Sequence, residues 1–246
     1  MNYGLQLYSV RDVTGTDIEK AIREVAAMGY SYVEFAGFGG KSAKEIRSYL
    51  DTYGIEISGT HSGVGDLEEK NIDATLEYHT TIGNKNFIIP GASLGTRAEL
   101  EKFYEIIEKA QPKLKDAGIA LHYHNHSHEF IPTAEGYLIH DELQKHTNLL
   151  FEIDTFWAFN AGLDPIELLK KLKDRVKVIH LKDGKIDTHE GRSLGLGDAP
   201  VKAVREYAIE NGLTMIVESE SLSPDGLSEV RRCIDFLKAL DKEENR

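Results

Sequence analysis

The 246-residue chain has little of what marks secreted, membrane or disulfide-rich proteins. Cys233 is its only cysteine, so neither an intramolecular disulfide nor a thiolate metal cluster can form. No apolar run approaches the roughly 20 residues needed to span a bilayer. The start at Met1-Asn2-Tyr3-Gly4 has no basic segment followed by an apolar one, as a secretory leader would. We therefore expect a cytoplasmic protein with no membrane partner.

Basic residues are also scarce. The chain has 29 Lys and Arg residues against 41 Asp and Glu residues, which gives a formal net charge of -12. Such a charge opposes the approach of a phosphate backbone, so a nucleic acid is not expected as a partner. With 41% hydrophobic and 28% charged residues the composition is that of a globular protein. No linker or break in composition divides the chain, so we predict one domain over residues 1–246.

What the sequence does contain is a regular alternation of short apolar runs with segments of helical period. The first helical segment, Asp17 to Met28, has Ile18, Ala21, Ile22 and Val25 on one face, and Gly29 follows as a cap. The predicted strands are Tyr3–Ser9, Tyr32–Ala36, Ile55–His61, Phe87–Pro90, Ile119–His126, Leu149–Asp154, Val176–Leu181 and Thr214–Ser219. The predicted helices are 17–28, 43–53, 67–82 and one ended by Gly118, then segments near Tyr137, Pro165, Pro200 and Leu227.

Eight consecutive β/α units in this length are typical of a (β/α)₈ TIM barrel, an α/β fold whose parallel strands are buried on both sides. A doubly wound sheet has the same alternation and is the alternative. Neither a Gly-x-Gly-x-x-Gly motif nor a phosphate-loop lysine follows the first strand, which favours the barrel. The last residues, Asp241 to Arg246, are predicted to fray.

Polar and ionisable residues are concentrated at the ends of the predicted strands, where a barrel of this type has its active site. They are Gln6, Tyr8, Glu34, His61, the segment from His122 to Glu129, Glu152, Asp154, His180, Lys182, Asp183, Glu218 and Glu220. Because side chains alternate along a strand, Glu152 shares a face with Asp154, and His180 with Lys182. Converging Asp, His and Glu side chains suit one divalent ion such as Mn²⁺, Co²⁺, Zn²⁺ or Mg²⁺. An ion-pair network in which Lys182 neutralises Asp154 or Glu218 without metal is the alternative.

Several of these blocks, in this order, resemble the xylose-isomerase-like sugar phosphate isomerase/epimerase superfamily over essentially the whole chain. The blocks are Gln6 to Asp12, Tyr123 to Phe130, Glu152 to Trp157, His180 to Asp183, Leu194 to Gly197, and Val217-Glu218. The resemblance implies a barrel that binds one divalent cation and acts on the carbon next to a carbonyl in sugars, inositols or related polyols. Members include ketose 3-epimerases, hydroxypyruvate isomerase, inosose dehydratase and dehydroshikimate dehydratase.

By motif, the resemblance implies Asp154, His180 and Glu218 as metal ligands. Ketose epimerases have a glutamate at the end of the fifth strand, where this chain has only histidines. We favour His124 as the fourth ligand over His122 and Glu129.

The resemblance also suggests which residues perform catalysis and bind the substrate. Glu218 or Glu152 would remove the proton, and Glu129 or Lys182 would return one or assist a leaving hydroxyl. His61 and Trp157 sit where relatives shape the sugar pocket. Further candidates for contacts to substrate hydroxyls are Gln6, Tyr8, Asn125, His126 and Arg192.

The predicted function is a metal-dependent isomerase or epimerase of a sugar, keto-sugar or inositol-type polyol that works through an enediolate. A dehydratase or lyase of the same superfamily, similar to inosose dehydratase, is the first alternative, and a non-catalytic polyol-binding barrel is the second. The third is a three-zinc phosphodiesterase similar to apurinic endonucleases, whose last metal motif the segment Asp187 to Glu190 resembles. Trp157, where that group has a histidine, argues against it. Whether the substrate is phosphorylated is left open, since Lys41, Arg97 and Arg192 could form a phosphate site, and so is a homo-oligomer.

Overall fold

The computed structural model describes all 246 residues, and eight of the apolar runs form parallel strands that close into a barrel. The barrel strands are β1 (Gly4–Gln6), β2 (Tyr32–Ala36), β3 (Glu56–His61), β4 (Asn86–Ile89), β5 (Ala120–His124), β6 (Leu150–Asp154), β7 (Val176–Leu181) and β10 (Thr214–Val217). Strands β1 to β7 pair in chain order, and β10 closes the barrel between β7 and β1. Two short strands, β8 (Asp183–Gly184) and β9 (Gly191–Arg192), form an antiparallel hairpin after β7.

Helices surround the barrel and follow the strands in turn. They are α1 (Arg11–Thr14), α2 (Ile18–Met28), α3 (Ala43–Tyr53), α4 (Ile72–Ile82), α5 (Arg97–Asp116), α6 (Ile139–His146), α7 (Thr155–Asn160), α8 (Pro165–Leu172), α9 (Val201–Glu210) and α10 (Gly226–Glu243). Ser42 and Thr96 begin α3 and α5 with capping boxes, and Asp164 caps α8 just before Pro165. None of these helices combines the length and the apolar character that crossing a membrane requires.

The predicted TIM barrel is therefore confirmed, with shifts at element ends. Strand β1 is shorter than predicted because Leu7–Val10 forms a 3₁₀ turn, in which the Gln6 side chain accepts a hydrogen bond from the Tyr8 backbone N–H. Helix α4 begins at Ile72 instead of Leu67, because Val64–Leu67 also forms a 3₁₀ turn. Strand β5 ends at His124, so His126 lies in the loop that follows.

The prediction of a frayed tail was wrong. Helix α10 continues to Glu243, and Asp241 is buried because its carboxylate accepts a hydrogen bond from the Tyr3 hydroxyl at 2.7 Å and pairs with Arg205. The charged residues near the C-terminus therefore close one end of the barrel. Sequence patterning could not show this, since the partners are more than 30 residues away in the chain.

Candidate active site

A cleft of about 530 Å³ opens at the carboxyl ends of the strands. Its lining residues are Tyr8, Ala36, His61, Pro90, His124, His126, Trp157, Glu218 and Glu220. Six of these were predicted from the sequence as ligands, catalytic groups or substrate contacts. The volume falls within the range that small-molecule sites occupy.

Four potential ligands converge at this end of the barrel: His124, Asp154, His180 and Glu218, all buried. Each offers an atom within 4.8 Å of the others. The Nδ1 atom of His180 lies 3.4 Å from Glu218 Oε2 and 3.8 Å from Asp154 Oδ2, and His124 Nε2 lies 3.7 Å from the same Asp154 oxygen. Strand pairing explains the convergence, because Asp154 and His180 are directly opposite each other on β6 and β7.

The ligand atoms of this cluster are poorly satisfied by the protein itself. Both ring nitrogens of His124, Asp154 Oδ2 and His180 Nδ1 are buried without a hydrogen-bond partner. A buried polar atom without a partner costs about 1–3 kcal/mol, so four together need a compensating group. Burial, together with the positive charge on His180 and His61, lowers the pKa of His124 well below its usual value, so its imidazole is neutral and able to bind metal. The residues fit one divalent cation with mixed nitrogen and oxygen ligands.

Asp154 is oriented by the start of helix α7. Its Oδ1 atom accepts a hydrogen bond from the Trp157 backbone N–H at 2.8 Å, which caps the helix and leaves Oδ2 facing the cluster. The Asn125 amide accepts from Asp154 N at 3.1 Å and donates to Asp154 O at 3.2 Å. Asn125, predicted as a hydroxyl contact, is thus buried between β5 and β6 and does not line the cleft.

A second layer of buried side chains contacts the Nε2 atom of His180, on the opposite side of the ring from Nδ1. Its Nε2 atom lies 2.8 Å from Glu34 Oε1, and the same oxygen accepts a hydrogen bond from Gln6 Nε2 at 2.7 Å. Gln6, predicted to touch the substrate, is fully buried and contacts Glu34 instead. No role was predicted for Glu34, although its position at the end of β2 made it a candidate. Partners of this kind orient metal-binding histidines in many proteins.

His61 and Glu152 extend this layer towards the cleft. His61 Nε2 lies 2.8 Å from Glu152 Oε2 and 3.1 Å from Glu34 Oε1. Burial alone would lower the pKa of His61, but the two carboxylates raise it to about 9. Burial and the neighbouring Glu34 carboxylate raise the pKa of Glu152 to about 7. Glu152 itself lies behind His61 and does not line the cleft.

Lys182 is the buried lysine among these carboxylates. Its Nζ atom lies 2.6 Å from Glu220 Oε1, 2.9 Å from Glu218 Oε2 and 3.5 Å from Asp154 Oδ2. Burial alone would lower the pKa of Lys182, but these carboxylates raise it above the usual value. Lys182 is therefore protonated and cannot act as a base. Lys182 also leaves Asp154 Oδ2, both ring nitrogens of His124 and Nδ1 of His180 without hydrogen bonds, so the ion pairs by themselves do not satisfy the cluster.

Two other predicted residues lie outside the cleft. The Glu129 carboxylate accepts hydrogen bonds from the His126 backbone N–H at 2.7 Å and the Tyr123 hydroxyl at 3.2 Å, beneath the turn after β5. Burial raises its pKa. Arg192 pairs with Glu190 at 2.6 Å in the β8–β9 hairpin.

His189, from the segment that resembles an endonuclease metal motif, is exposed. Its Nδ1 atom lies 2.6 Å from Asn160 Oδ1, and the residue is not part of the four-ligand cluster.

Comparisons with known proteins agree with this architecture. A family profile described as xylose isomerase-like TIM barrel matches residues 22–240. Inosose dehydratase from Geobacillus kaustophilus is 29% identical over 199 residues, which cover 70% of this chain but only 64% of that protein, less than two thirds of its length. The crystal structure of a sugar phosphate isomerase/epimerase from Parabacteroides distasonis has a TM-score of 0.81 and 27% identity and covers 96% of this chain and 98% of its own. A probable 3-DHS dehydratase from Bacillus anthracis has a TM-score of 0.75 at 12% identity, with 97% of this chain and 99% of that chain covered, which shows the shared fold alone.

Proposed function

The chain belongs to the xylose isomerase-like TIM barrel family, and from that premise we propose a divalent-metal-dependent isomerase or epimerase. It would act on a sugar, keto-sugar or inositol-type polyol by removing a proton from the carbon next to a carbonyl. The observation that carries this proposal is the set of buried ligand atoms without protein partners, on His124, Asp154 and His180, beside the cleft-lining carboxylate of Glu218.

His124, Asp154, His180 and Glu218 would hold the metal ion, which could be Mn²⁺, Co²⁺, Zn²⁺ or Mg²⁺. When bound, the ion supplies electrostatic stabilisation of the negative charge that develops on the substrate oxygens. We assign proton removal to Glu218, because its carboxylate lines the cleft whereas Glu152 is buried behind His61.

Lys182 is placed to act as the complementary proton donor. Its ammonium group lies 2.9 Å from Glu218 and 4.6 Å above the Trp157 ring, so base and donor are adjacent at the edge of the cleft. Glu129, whose carboxylate is turned away from the cleft, has no part in this assignment. His61, Tyr8, His126 and Trp157 line the cleft and would contact the substrate.

The same proton removal can lead to three outcomes. Return of a proton to the opposite face gives epimerisation, transfer to the neighbouring carbon gives isomerisation, and loss of a β-hydroxyl gives dehydration. Dehydration is the second candidate, since Inosose dehydratase is among the relatives and Lys182 could protonate a departing hydroxyl. We rank the non-catalytic polyol-binding barrel and the zinc phosphodiesterase below both. A cytoplasmic location, consistent with the single buried free thiol of Cys233, and a homo-oligomer stay predictions.

The test is an assay in deuterated water with metal-loaded protein and a panel of ketoses, inososes and 3-keto-glycosides. We expect deuterium to appear at the carbon next to the carbonyl of at least one substrate. This exchange should stop when the metal is removed with a chelator and resume when metal is added back. Mass and NMR spectra then separate epimer, isomer and dehydrated product. A metal-bound protein that exchanges no proton in any member of the panel would contradict the proposal.

A further inference from the structure

The cleft contains no positively charged group that is free to bind an anion. We propose that the substrate is an uncharged polyhydroxylated ketone with neither a phosphate nor a carboxylate group. This inference rests on the proposed function in placing the substrate in this cleft, and it goes further by naming the substrate's charge class.

The lining itself is apolar, imidazole and acidic. Tyr8, Ala36, Pro90 and Trp157 provide apolar and aromatic surface, and the imidazoles of His61, His124 and His126 provide polar contacts. The remaining two lining residues are the carboxylates of Glu218 and Glu220. Such a surface suits the apolar C–H face and the hydroxyl groups of a sugar or inositol ring. The His61 imidazole is paired with Glu152 at 2.8 Å and Glu34 at 3.1 Å, and the N-terminus of α7 is capped by Asp154, so the lining offers a phosphate no unpaired cation and no uncapped helix N-terminus.

Apart from the paired His61, the two cations nearest to the cleft are Lys182 and Arg11, and both are already engaged. Lys182 lies within 3.5 Å of three carboxylates, on Glu220, Glu218 and Asp154. At the rim, Arg11 donates hydrogen bonds to the backbone carbonyls of Tyr8 at 3.0 Å and Glu220 at 2.7 Å, and its guanidinium stacks 4.5 Å from the centre of the Tyr8 ring. A phosphate could use either cation only by displacing these interactions.

The three residues that the sequence offered as a phosphate site are also paired elsewhere. Lys41 lies 3.7 Å from Glu45 in the first turn of α3, Arg97 pairs with Glu142 between α5 and α6, and Arg192 pairs with Glu190 in the hairpin. None of the three lines the cleft.

Electrostatics points the same way. A phosphate monoester carries a charge of about −1.5 to −2 at neutral pH. In this cleft it would lie beside Glu218 and Glu220, where like charges repel and the low dielectric constant strengthens the repulsion. A bound divalent ion would serve the carbonyl end of the substrate, so the phosphate at the distal end of a sugar phosphate would still meet no free donor of positive charge.

Trp157 is the only tryptophan in the chain and lines the cleft, so its fluorescence reports binding without turnover. The experiment titrates Mg²⁺-loaded protein at 0.15 M salt with two matched pairs of ketoses: D-fructose against D-fructose 6-phosphate, and D-tagatose against D-tagatose 6-phosphate. We expect at least one uncharged member to bind, and to bind at least tenfold more tightly than its phosphate ester. Equal or tighter binding of the phosphorylated member, or no binding of either uncharged compound, would overturn the proposal.

A variant pair tests the cause. Glu220→Gln removes one lining carboxylate and should at least halve the preference for the uncharged ligand, whereas Glu206→Gln, which changes an exposed carboxylate of helix α9, should leave it unchanged. An unaltered preference in Glu220→Gln would contradict the electrostatic argument.

The proposed function is judged separately by deuterium uptake. Deuterium uptake by fructose 6-phosphate but not by fructose would contradict the proposed substrate charge and support the proposed function. Selective binding of the uncharged ligand without deuterium uptake would support the substrate charge and contradict the proposed function.

Discussion

Each end of this barrel holds a buried network of charged side chains, and the two networks differ in how well they are satisfied. At the amino-terminal end, Arg205 donates hydrogen bonds to the Tyr3 hydroxyl at 2.8 Å, to Glu244 at 2.8 Å and to Asp241, and none of these side chains has an unpartnered buried atom. At the carboxyl end, His124, Asp154 and His180 have unpartnered buried atoms.

The comparison shows what separates a structural network from a functional one. Both bury charge, which is costly unless the charges are paired and hydrogen-bonded. The amino-terminal network is complete without a ligand and ties Tyr3, before β1, to helices α9 and α10. The carboxyl-terminal network is incomplete, and the missing partner is what we infer to be a metal ion.

The largest expected effect comes from removing the proposed base. Glu218→Gln should lower the rate of substrate proton exchange by about 100- to 10,000-fold, the range for loss of a general acid or base. The measurement is deuterium uptake by NMR with equal amounts of folded protein, checked by circular dichroism. Undiminished exchange would remove Glu218 from the mechanism.

A change in the amino-terminal network should lower stability and leave the exchange rate intact. Arg205→Met removes the guanidinium that pairs with Glu244 and the buried carboxylate of Asp241, and leaves Asp241 only the N-terminal ammonium at 3.2 Å, so we expect the free energy of unfolding to fall by about 3 kcal/mol. Urea denaturation measures this loss. The exchange rate per folded molecule should stay unchanged, and a variant that kept its stability but lost exchange would break the distinction between the two ends.

A smaller effect should follow from loosening His180 without touching the cleft. Glu34→Gln weakens the acceptor that holds His180 Nε2, and changes of this kind reduce metal affinity by about 10- to 100-fold. Competition with a fluorescent chelator gives the affinity. Asp241→Asn, a buried carboxylate at the other end, is the control and should bind metal as the wild type does. Equal affinities for the two variants would argue against a positioning role for Glu34.

The smallest effect is on the pH dependence of stability. His140 lies buried between the rings of Phe130 and Phe151, and burial lowers its pKa to about 3. The unfolded chain binds this proton near pH 6.5, so the neutral histidine stabilises the fold fully above that pH and progressively less as the pH falls towards 3. His140→Phe should therefore reduce the loss of stability between pH 6 and pH 5 by about 1 kcal/mol. If the urea midpoint of the variant changed with pH as much as that of the wild type, the lowered pKa of His140 would be contradicted.

The sequence was a good guide wherever strand periodicity and strand ends decide the outcome. Asp154, His180 and Glu218 follow from it, because parallel strands of a barrel bring their carboxyl ends together. It was a poor guide to side-chain direction just beyond a strand. Asn125 lies one residue past β5, where its amide bonds the backbone of β6 instead of facing the cleft, and alternation no longer applies there.

Contacts between distant segments could not be predicted from the sequence either. Glu34 and His180 are 146 residues apart, and only the closure of the barrel brings them within 2.8 Å. Gln6 was predicted as a substrate contact, and only the path of β1 beside β2 shows that its amide donates to Glu34 instead.

The most direct test of the central claim is the metal content of the purified protein after equilibration with Mn²⁺, Co²⁺, Zn²⁺ or Mg²⁺ and removal of free ions. We predict about one divalent ion per chain, lost in Asp154→Asn, in which the asparagine can still cap helix α7, and retained in Asp241→Asn. Three zinc ions per chain would favour a phosphodiesterase site. No bound ion after supplementation would contradict the claim that the unpartnered atoms of His124, Asp154 and His180 form a metal site.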